Sequence, residues 1–302
     1  MDPKMLAPAV AVRCPACGAH TTPIVTAVPD HEYGLDRTGC YAKCPACRTL
    51  FLQPMPADAE LASFYPPDYH SMTHAGRLQR LRNGVRLRRL AKLAAPPGAL
   101  LDFGCGDGSF LLDAAASLPG RPLWGFEIAG RSETERLAGG AVSIVRGDLA
   151  ELLRQLPPCG LVTMNHVIEH LPDPFGTLSL LVERLVPEGV LEGQTPAADS
   201  LEHSVFGRRW SGFHAPRHTV VFSRAGLRQL LERCGLGSAK ITGAFNPAGI
   251  AVSLGSLPQS GPGRIRRGGL KWLCLLGAAG LLAPIDLLSG RPGIVDFVAV
   301  RS

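Results

Sequence analysis

The chain lacks the marks of several protein classes. Residues 1–12 have no basic start followed by a long apolar run, so they do not read as a secretory leader. No uninterrupted apolar stretch reaches the about 20 residues that cross a bilayer. The run 272–283 stops at twelve uncharged residues, with Lys271 before it and Pro284 and Asp286 after it. Aromatic residues make up only 6% of the chain, and they are not interleaved with basic ones as a nucleobase-stacking surface requires. There are no internal repeats. Nine cysteines without a leader argue against a disulfide framework, so a reducing cytosol is the expected compartment.

What is present is ordinary for a globular protein. A length of 302 residues suits one large or two modest domains, and an apolar fraction of 46% can fill a core. The net charge of +6 favours anionic partners without selecting one: a phosphorylated substrate, a membrane surface or RNA.

Cys14-Pro-Ala-Cys17 and Cys44-Pro-Ala-Cys47 are two near-identical pairs. Two residues between cysteines let both thiolates reach one ion, and two such pairs complete a tetrahedron. The prediction is a closed, structural Zn(II) ribbon over 1–57 with no open position for a catalytic water. Cys40 is spare.

A helical linker over 58–95 follows. It comprises a short helix at 58–64, a proline break at 65–69 and a basic helix over 76–92. Leu78, Leu81, Val85, Leu90 and Leu93 form its expected apolar face, and Arg80, Arg82, Arg86, Arg88 and Arg89 its basic one. Over 96–302 strands and helices then alternate. Strands are predicted at 100–103, 123–127, 142–145, 161–165, 189–194, 239–242 and 294–300. Helices are predicted at 109–117, 132–137, 149–155, 176–185 and 223–234. This is the pattern of an α/β, doubly wound, mostly parallel sheet that binds ligands at its strands' carboxyl ends. An apolar insertion at about 246–292 interrupts the last pair of strands.

The first strand runs into Asp102-Phe103-Gly104-Cys105-Gly106-Asp107-Gly108-Ser109. Glycines at every second position permit a tight turn and a close ligand. A dinucleotide fingerprint would place its third glycine at 109, where this chain has Ser. The segment resembles motif I of the class I S-adenosylmethionine (SAM)-dependent methyltransferases. Residues 162–174, with His166-Val-Ile-Glu-His170, resemble the fourth-strand motif of a branch that includes quinone-biosynthesis O-methyltransferases. Residues 206–223 are similar to bacterial members tied to cell-surface sugars or lipids. Ala197 departs from the Asn that relatives often carry.

The resemblance implies a seven-stranded Rossmann-like methyltransferase sheet with SAM bound by Asp102, Phe103, Gly104, Gly106, Gly108, Glu127, Ile128, Asp148, Leu149 and Asn165. Glu127, closing the second strand, suits the ribose hydroxyls, and its alternative is a solvated cap. Asp148 would lie near the adenine amino group, or simply cap the next helix. On the acceptor side His166, His214 and His218 are the catalytic candidates, since a near-neutral histidine can remove a hydroxyl proton. His166 is expected by the sulfonium, with His214 or His218 as base. His170, Trp210 and Arg217 are the candidates for holding the acceptor.

The expected activity is methyl transfer to a small or lipid-linked acceptor, a sugar or quinone-like hydroxyl, with O-methylation favoured. C-methylation stays open, because deoxysugar C-methyltransferases also pair zinc knuckles with this fold. The rivals are an RNA methyltransferase, which the missing base-stacking surface disfavours, and a non-catalytic SAM-binding scaffold. The segment 263–288 is a lid, a homodimer contact or a peripheral contact at the inner membrane face.

Overall fold

The computed structural model describes residues 12–21, 24–66, 69 and 76–302. The proline break at 65–69 lies partly outside them. At the centre is an eight-stranded sheet. Its elements are β6 (Ala99–Phe103), β7 (Leu123–Glu127), β8 (Glu133–Leu137), β9 (Val142–Arg146), β10 (Cys159–Asn165), β11 (Leu185–Pro196), β13 (Leu236–Gly243) and β14 (Ile294–Arg301). The spatial order is β13-β14-β11-β10-β6-β7-β9-β8. Strands β9, β7, β6, β10 and β11 run parallel, and β14 is antiparallel to both of its neighbours. Every residue of β6 is buried, as expected of a strand covered on both faces. Helices α3 (Ser109–Ser117), α4 (Leu149–Gln155), α5 (Pro174–Arg184) and α7 (Arg224–Arg233) fall within two residues of their predicted bounds.

One predicted helix is a strand. The segment at 132–137 forms β8, an antiparallel edge on β9, which raises the sheet from seven strands to eight. Its Glu, Thr, Glu and Arg are all exposed, and only Leu137 turns partly inward. A helix here would have no apolar face to lay on the sheet.

The basic helix α2 (Arg77–Leu90) is rotated from its expected face. Leu81 and Val85 are exposed, whereas Asn83, Leu87 and Leu90 are buried. Polar anchors set this rotation. Asn83 Nδ2 donates to Asp113 Oδ2 at 2.7 Å, and Arg86 Nη2 donates to Asp102 Oδ1 at 2.8 Å. Arg89 pairs with Glu192 and, at 2.6 Å, with Asp296.

The cysteine ribbon does not stand apart. A hairpin of β1 (Val12–Arg13) and β2 (His20–Thr21) carries the first knuckle. Strands β3 (Ile24–Pro29), β4 (Thr38–Lys43) and β5 (Leu50–Leu52) form a sheet completed by β12 (Val220–Val221) from the main domain. Cys14, Cys44 and Cys47 share one core cluster with Phe222, Leu227, Leu230 and Leu231. Each large apolar side chain buried there is worth about 1.5–3 kcal/mol, so the seam is a firm one. At Gly226 a Cβ would meet Thr49 Oγ1 at 2.1 Å, so glycine allows the knuckle to sit on the start of α7.

The insertion folds as two helices, α8 (Pro247–Ser256) and α9 (Gly269–Leu288). α9 continues through Pro284, where the sequence suggested a stop. Its 20 residues are long and apolar enough to cross a membrane by length and composition.

Candidate active site and candidate metal centre

The glycine loop opens from β6 as expected. Gly104, Gly106 and Gly108 have φ of +83°, +56° and +76°, a region where L side chains are strained. A Cβ at Gly104 would meet Val167 Cγ2 at 2.3 Å, and one at Gly108 would meet Ile144 Cδ1 at 2.5 Å. The loop is therefore closed on its protein side. Glu127 holds it from β7: Oε2 accepts the Gly106 N–H at 2.9 Å, and Oε1 accepts the Ala129 N–H at 3.1 Å. Each carboxylate oxygen keeps a further lone pair for a ribose hydroxyl. Ile128 beside it is 70% exposed, an apolar surface suited to a flat base.

Asp148 caps α4, its Oδ1 accepting from Ala150 N at 2.8 Å and Glu151 N at 3.3 Å, with Leu149 half-buried next to it. Phe103 is buried and stacks on Phe126 at 4.8 Å, so only its main chain is open to a ligand. Asp102 is buried, accepting from Thr163 Oγ1 at 2.7 Å as well as from Arg86. Arg86 itself lies over the Phe110 ring at 3.8 Å. With its amide oxygen turned toward that guanidinium, Asn165 accepts from Arg86 Nη2 at 2.9 Å. The sequence places Arg86 only on the basic face of the linker helix. The available signal was its spacing of three from Arg89, which puts both on one helix face.

The histidines converge beyond β10. His170 and His218 have ring centroids 4.6 Å apart, His214 and His218 4.9 Å, and His170 and His214 6.3 Å. His166 has φ +53° and reaches Glu169 Oε1 through Nδ1 at 3.1 Å and Gln194 Oε1 through Nε2 at 2.9 Å. Both partners accept, so both ring nitrogens donate and the geometry favours imidazolium. Burial pulls the His166 pKa down, but the Glu169 hydrogen bond and charge outweigh it and the net shift is upward. Glu169 shows the matching effect. Burial would raise it, yet His166, with help from His218 and His170, holds it down at about 2.

His214 has a different geometry. Its Nδ1 donates to Glu32 Oε2 at 2.5 Å, and its Nε2 accepts from Tyr69 Oη at 3.3 Å. Glu32 comes from the ribbon and also receives Arg267 from the insertion. Tyr65 Oη lies 2.8 Å from His170 Nδ1. Glu32, Tyr65, Tyr69 and Glu169 are functional candidates that sequence reasoning missed. For the first three the contacts cross from one segment of the chain to another, and nothing in their local spacing marks them.

Three of the expected acceptor-side residues are buried. Arg217 is wholly buried, and its guanidinium holds both oxygens of Asp30 at 2.9 and 3.0 Å, so it grips a ribbon carboxylate rather than a ligand. Trp210 is largely buried against Phe213 and stacks on His203 at 5.0 Å, and it lines the same cavity as Glu32 and His214. His218 donates Nδ1–H to the Gly212 carbonyl at 2.8 Å and turns Nε2 inward, 3.9 Å from Glu169 Oε1. Burial and then the neighbouring His170 push its pKa well below the usual value, so it stays neutral.

The four predicted zinc ligands do meet. Their Sγ atoms all lie within 4.8 Å of one another, with Cys14–Cys47 and Cys17–Cys44 both at 3.7 Å. A tetrahedron with Zn–S bonds of about 2.3 Å has S–S edges of about 3.8 Å, so the cluster fits zinc.

The model of the methyltransferase domain family matches residues 75–238, more than half of the chain. The chain belongs to this family. It is a SAM-dependent methyltransferase. No curated protein matches it. Among solved structures, it is similar to a SAM-dependent methyltransferase from Archaeoglobus fulgidus. The identity is 20% and the TM-score 0.47, covering 74% of this chain and 94% of that one. It is also similar to phosphoethanolamine N-methyltransferase 2 from Haemonchus contortus, with 15% identity, TM-score 0.47, and 75% and 53% covered. A third is the plantazolicin methyltransferase BamL, at 12% identity, TM-score 0.46, and 82% and 91% covered. In this methyltransferase the glycine loop and Glu127 stand at the carboxyl ends of β6 and β7, the usual ligand edge of such sheets.

Proposed function

We propose that this methyltransferase transfers the SAM methyl group to a hydroxyl of a small or lipid-linked acceptor, with His214 as general base. The observation that carries the reading is the Glu32–His214 pair. The Nδ1–H donates to Glu32, which places the acceptor lone pair on Nε2, where Tyr69 Oη donates and an acceptor hydroxyl would take its place. A base held in that tautomer by a carboxylate is what proton removal from an acceptor hydroxyl requires. Methyl transfer from a sulfonium is an in-line displacement, so positioning supplies most of the remaining acceleration.

In this reading Gly104, Gly106 and Gly108 admit the cofactor's main body, Glu127 accepts its ribose hydroxyls, and Ile128 and Leu149 flank the base beside Asp148. Arg86, anchored by Asp102 and Asn165, faces the methionine carboxylate. The ribbon holds one zinc ion through Cys14, Cys17, Cys44 and Cys47, whose role is to keep Glu32 in place. Two inward-turned arginines on α2 leave that helix a poor RNA track, which disfavours the RNA rival.

A lipid-linked acceptor is met, in this reading, at the inner membrane face. α9 packs through Ala279 and Ala283 on Ile250 and Ala251 of α8, and shows Leu270, Leu273, Leu281, Ile285 and Leu288 to solvent. Arg266 just before it and Lys271 in its first turn are exposed. An apolar face with a basic margin suits an anionic surface.

The test is a methyl-transfer assay with labelled SAM on lipid-linked sugar and quinol fractions, alongside calorimetry with S-adenosylhomocysteine. The expected result is a labelled, base-stable ether product, with His214→Gln binding S-adenosylhomocysteine normally but turning over slowly. Transfer to carbon or nitrogen, or wild-type turnover in His214→Gln, would refute the reading.

A further inference from the structure

We propose that Glu169, His170 and His218 form a binding site for a divalent first-row transition-metal ion within the histidine cluster, separate from the cysteine ribbon. One ligand atom from each of the three residues lies within 4.8 Å of the others. They come from two parts of the chain, the turn Ile168–His170 after β10 and the segment before β12.

The hydrogen bonds around the cluster decide its character. A carbonyl can only accept, so the contact of His218 Nδ1 with the Gly212 carbonyl, at 2.8 Å, puts a proton on that Nδ1, while His170 Nδ1 lies 3.1 Å from the Arg217 carbonyl and 2.8 Å from Tyr65 Oη. Neutral His218 then carries its lone pair on Nε2. An Nδ1–H bonded to a backbone carbonyl is also the usual outer support of a metal-binding histidine.

Glu169 is supported in the same way. Thr195 Oγ1 donates to its Oε2 at 3.0 Å, and His166 donates to its Oε1. That same Oε1 faces His218 Nε2 at 3.9 Å. Both atoms of that contact are acceptors, and no proton lies between them. Two such lone pairs turned toward one another in a buried site offer a cation two ligands at once. Metal ligands about 2.1 Å from an ion stand about 3.0–4.2 Å apart, so a small contraction would seat one. Two imidazoles and one carboxylate suit Mn(II), Fe(II), Co(II) or Zn(II), and leave positions open for an acceptor oxygen. A metal-bound hydroxyl loses its proton more readily, which would help the base at His214. That last role rests on the proposed function, whereas the ion site itself does not.

The experiment uses Mn(II) as the probe, because thiolates at the ribbon discriminate against it. The zinc-loaded enzyme is passed over a chelating resin, its remaining zinc is quantified, and free Mn(II) is followed by electron paramagnetic resonance. The expected result is saturable binding of one Mn(II) per chain with nitrogen hyperfine couplings from histidine. His218→Ala and Glu169→Gln should weaken it by roughly 100-fold or more, with zinc content unchanged. No saturable binding by the wild-type enzyme would overturn the proposal. So would bound Mn(II) without nitrogen coupling, or full affinity in a folded His218→Ala variant. The wild-type spectrum decides the matter even if both variants fail to fold. S-adenosylhomocysteine calorimetry on the same samples reports separately on the methyltransferase reading.

Discussion

At the scale of single residues, buried charge explains most of the departures from expectation. Arg217 and Asp30 are both fully buried and paired. Removing one partner leaves a bare charge in the core, at a cost of about 3–5 kcal/mol. Arg217→Ala should therefore lower the melting temperature sharply, and the KM of any folded remainder should stay unchanged. A raised acceptor KM at wild-type stability would instead restore the ligand role. The Glu169–His166 pair has a defined pH signature. The folded carboxyl sits near 2 against its ordinary 4.5, so its stabilisation is complete above 4.5 and is lost as pH falls toward 2. His166 is shifted the other way, so its share is complete below 6.5 and is lost as pH rises through its raised value. Glu169→Gln should flatten both limbs in denaturation curves followed from pH 2 to 9.

At the scale of elements, the same chemistry decides how helices seat. α2 turns Arg86 and Arg89 inward, where they meet Asp102 of β6, Glu192 of β11 and Asp296 of β14. The end of α9 is held by a second buried feature. Asp286 accepts the Gly293 N–H at 2.9 Å and faces Glu202 of α6 (Leu201–Phe206). Burial, then the charge of Asp286, pushes the Glu202 carboxyl up to about 8. A carboxyl raised in the folded state favours folding most below 4.5, and that contribution falls away as pH rises to 8. Amide protection factors at the end of α9, corrected for the intrinsic base-catalysed rate, should fall between pH 6 and 8. Glu202→Gln should remove that dependence, and an unchanged slope in the variant would show that the pair does not hold the helix.

At the scale of the whole molecule, the ribbon and the insertion close on the same chamber. Gly263 N–H donates to the Asp30 carbonyl at 2.8 Å, and Ile265 N–H to that of Glu32 at 2.9 Å. Glu32 in turn meets His214, so a ribbon loop connects the cysteine cluster to the candidate base. Stripping the zinc should therefore lower turnover by about 100-fold or more, the scale of a lost general base, while S-adenosylhomocysteine affinity stays close to that of the intact enzyme. Equal loss of both would mean general unfolding. The exposed face of α9 should bind vesicles rich in anionic lipid and release them at high salt. An Arg266→Ala, Lys271→Ala variant should release at lower salt. No sedimentation with vesicles at any salt would leave α9 as a lid or a contact between copies.

Sequence by itself determined whatever depends on neighbours along the chain. The glycine loop, the order of strands at 100–103, 123–127 and 142–145, and the paired CxxC knuckles were all legible, because turn geometry, strand burial and ligand spacing are local. The positions of Glu127 and Asp148 were readable for the same reason, as one closes a strand and the other caps the helix that follows one. Only the tertiary structure decided the rest. Segment 132–137 became an edge strand because no apolar face tied it to the sheet as a helix. Arg217 left the ligand surface because folding brought Asp30 from 187 residues away. Glu32 reached His214 across 182 residues. Burial makes an unpaired charge costly, so each such residue takes the partner that the fold supplies, and spacing along the chain does not reveal which one that will be.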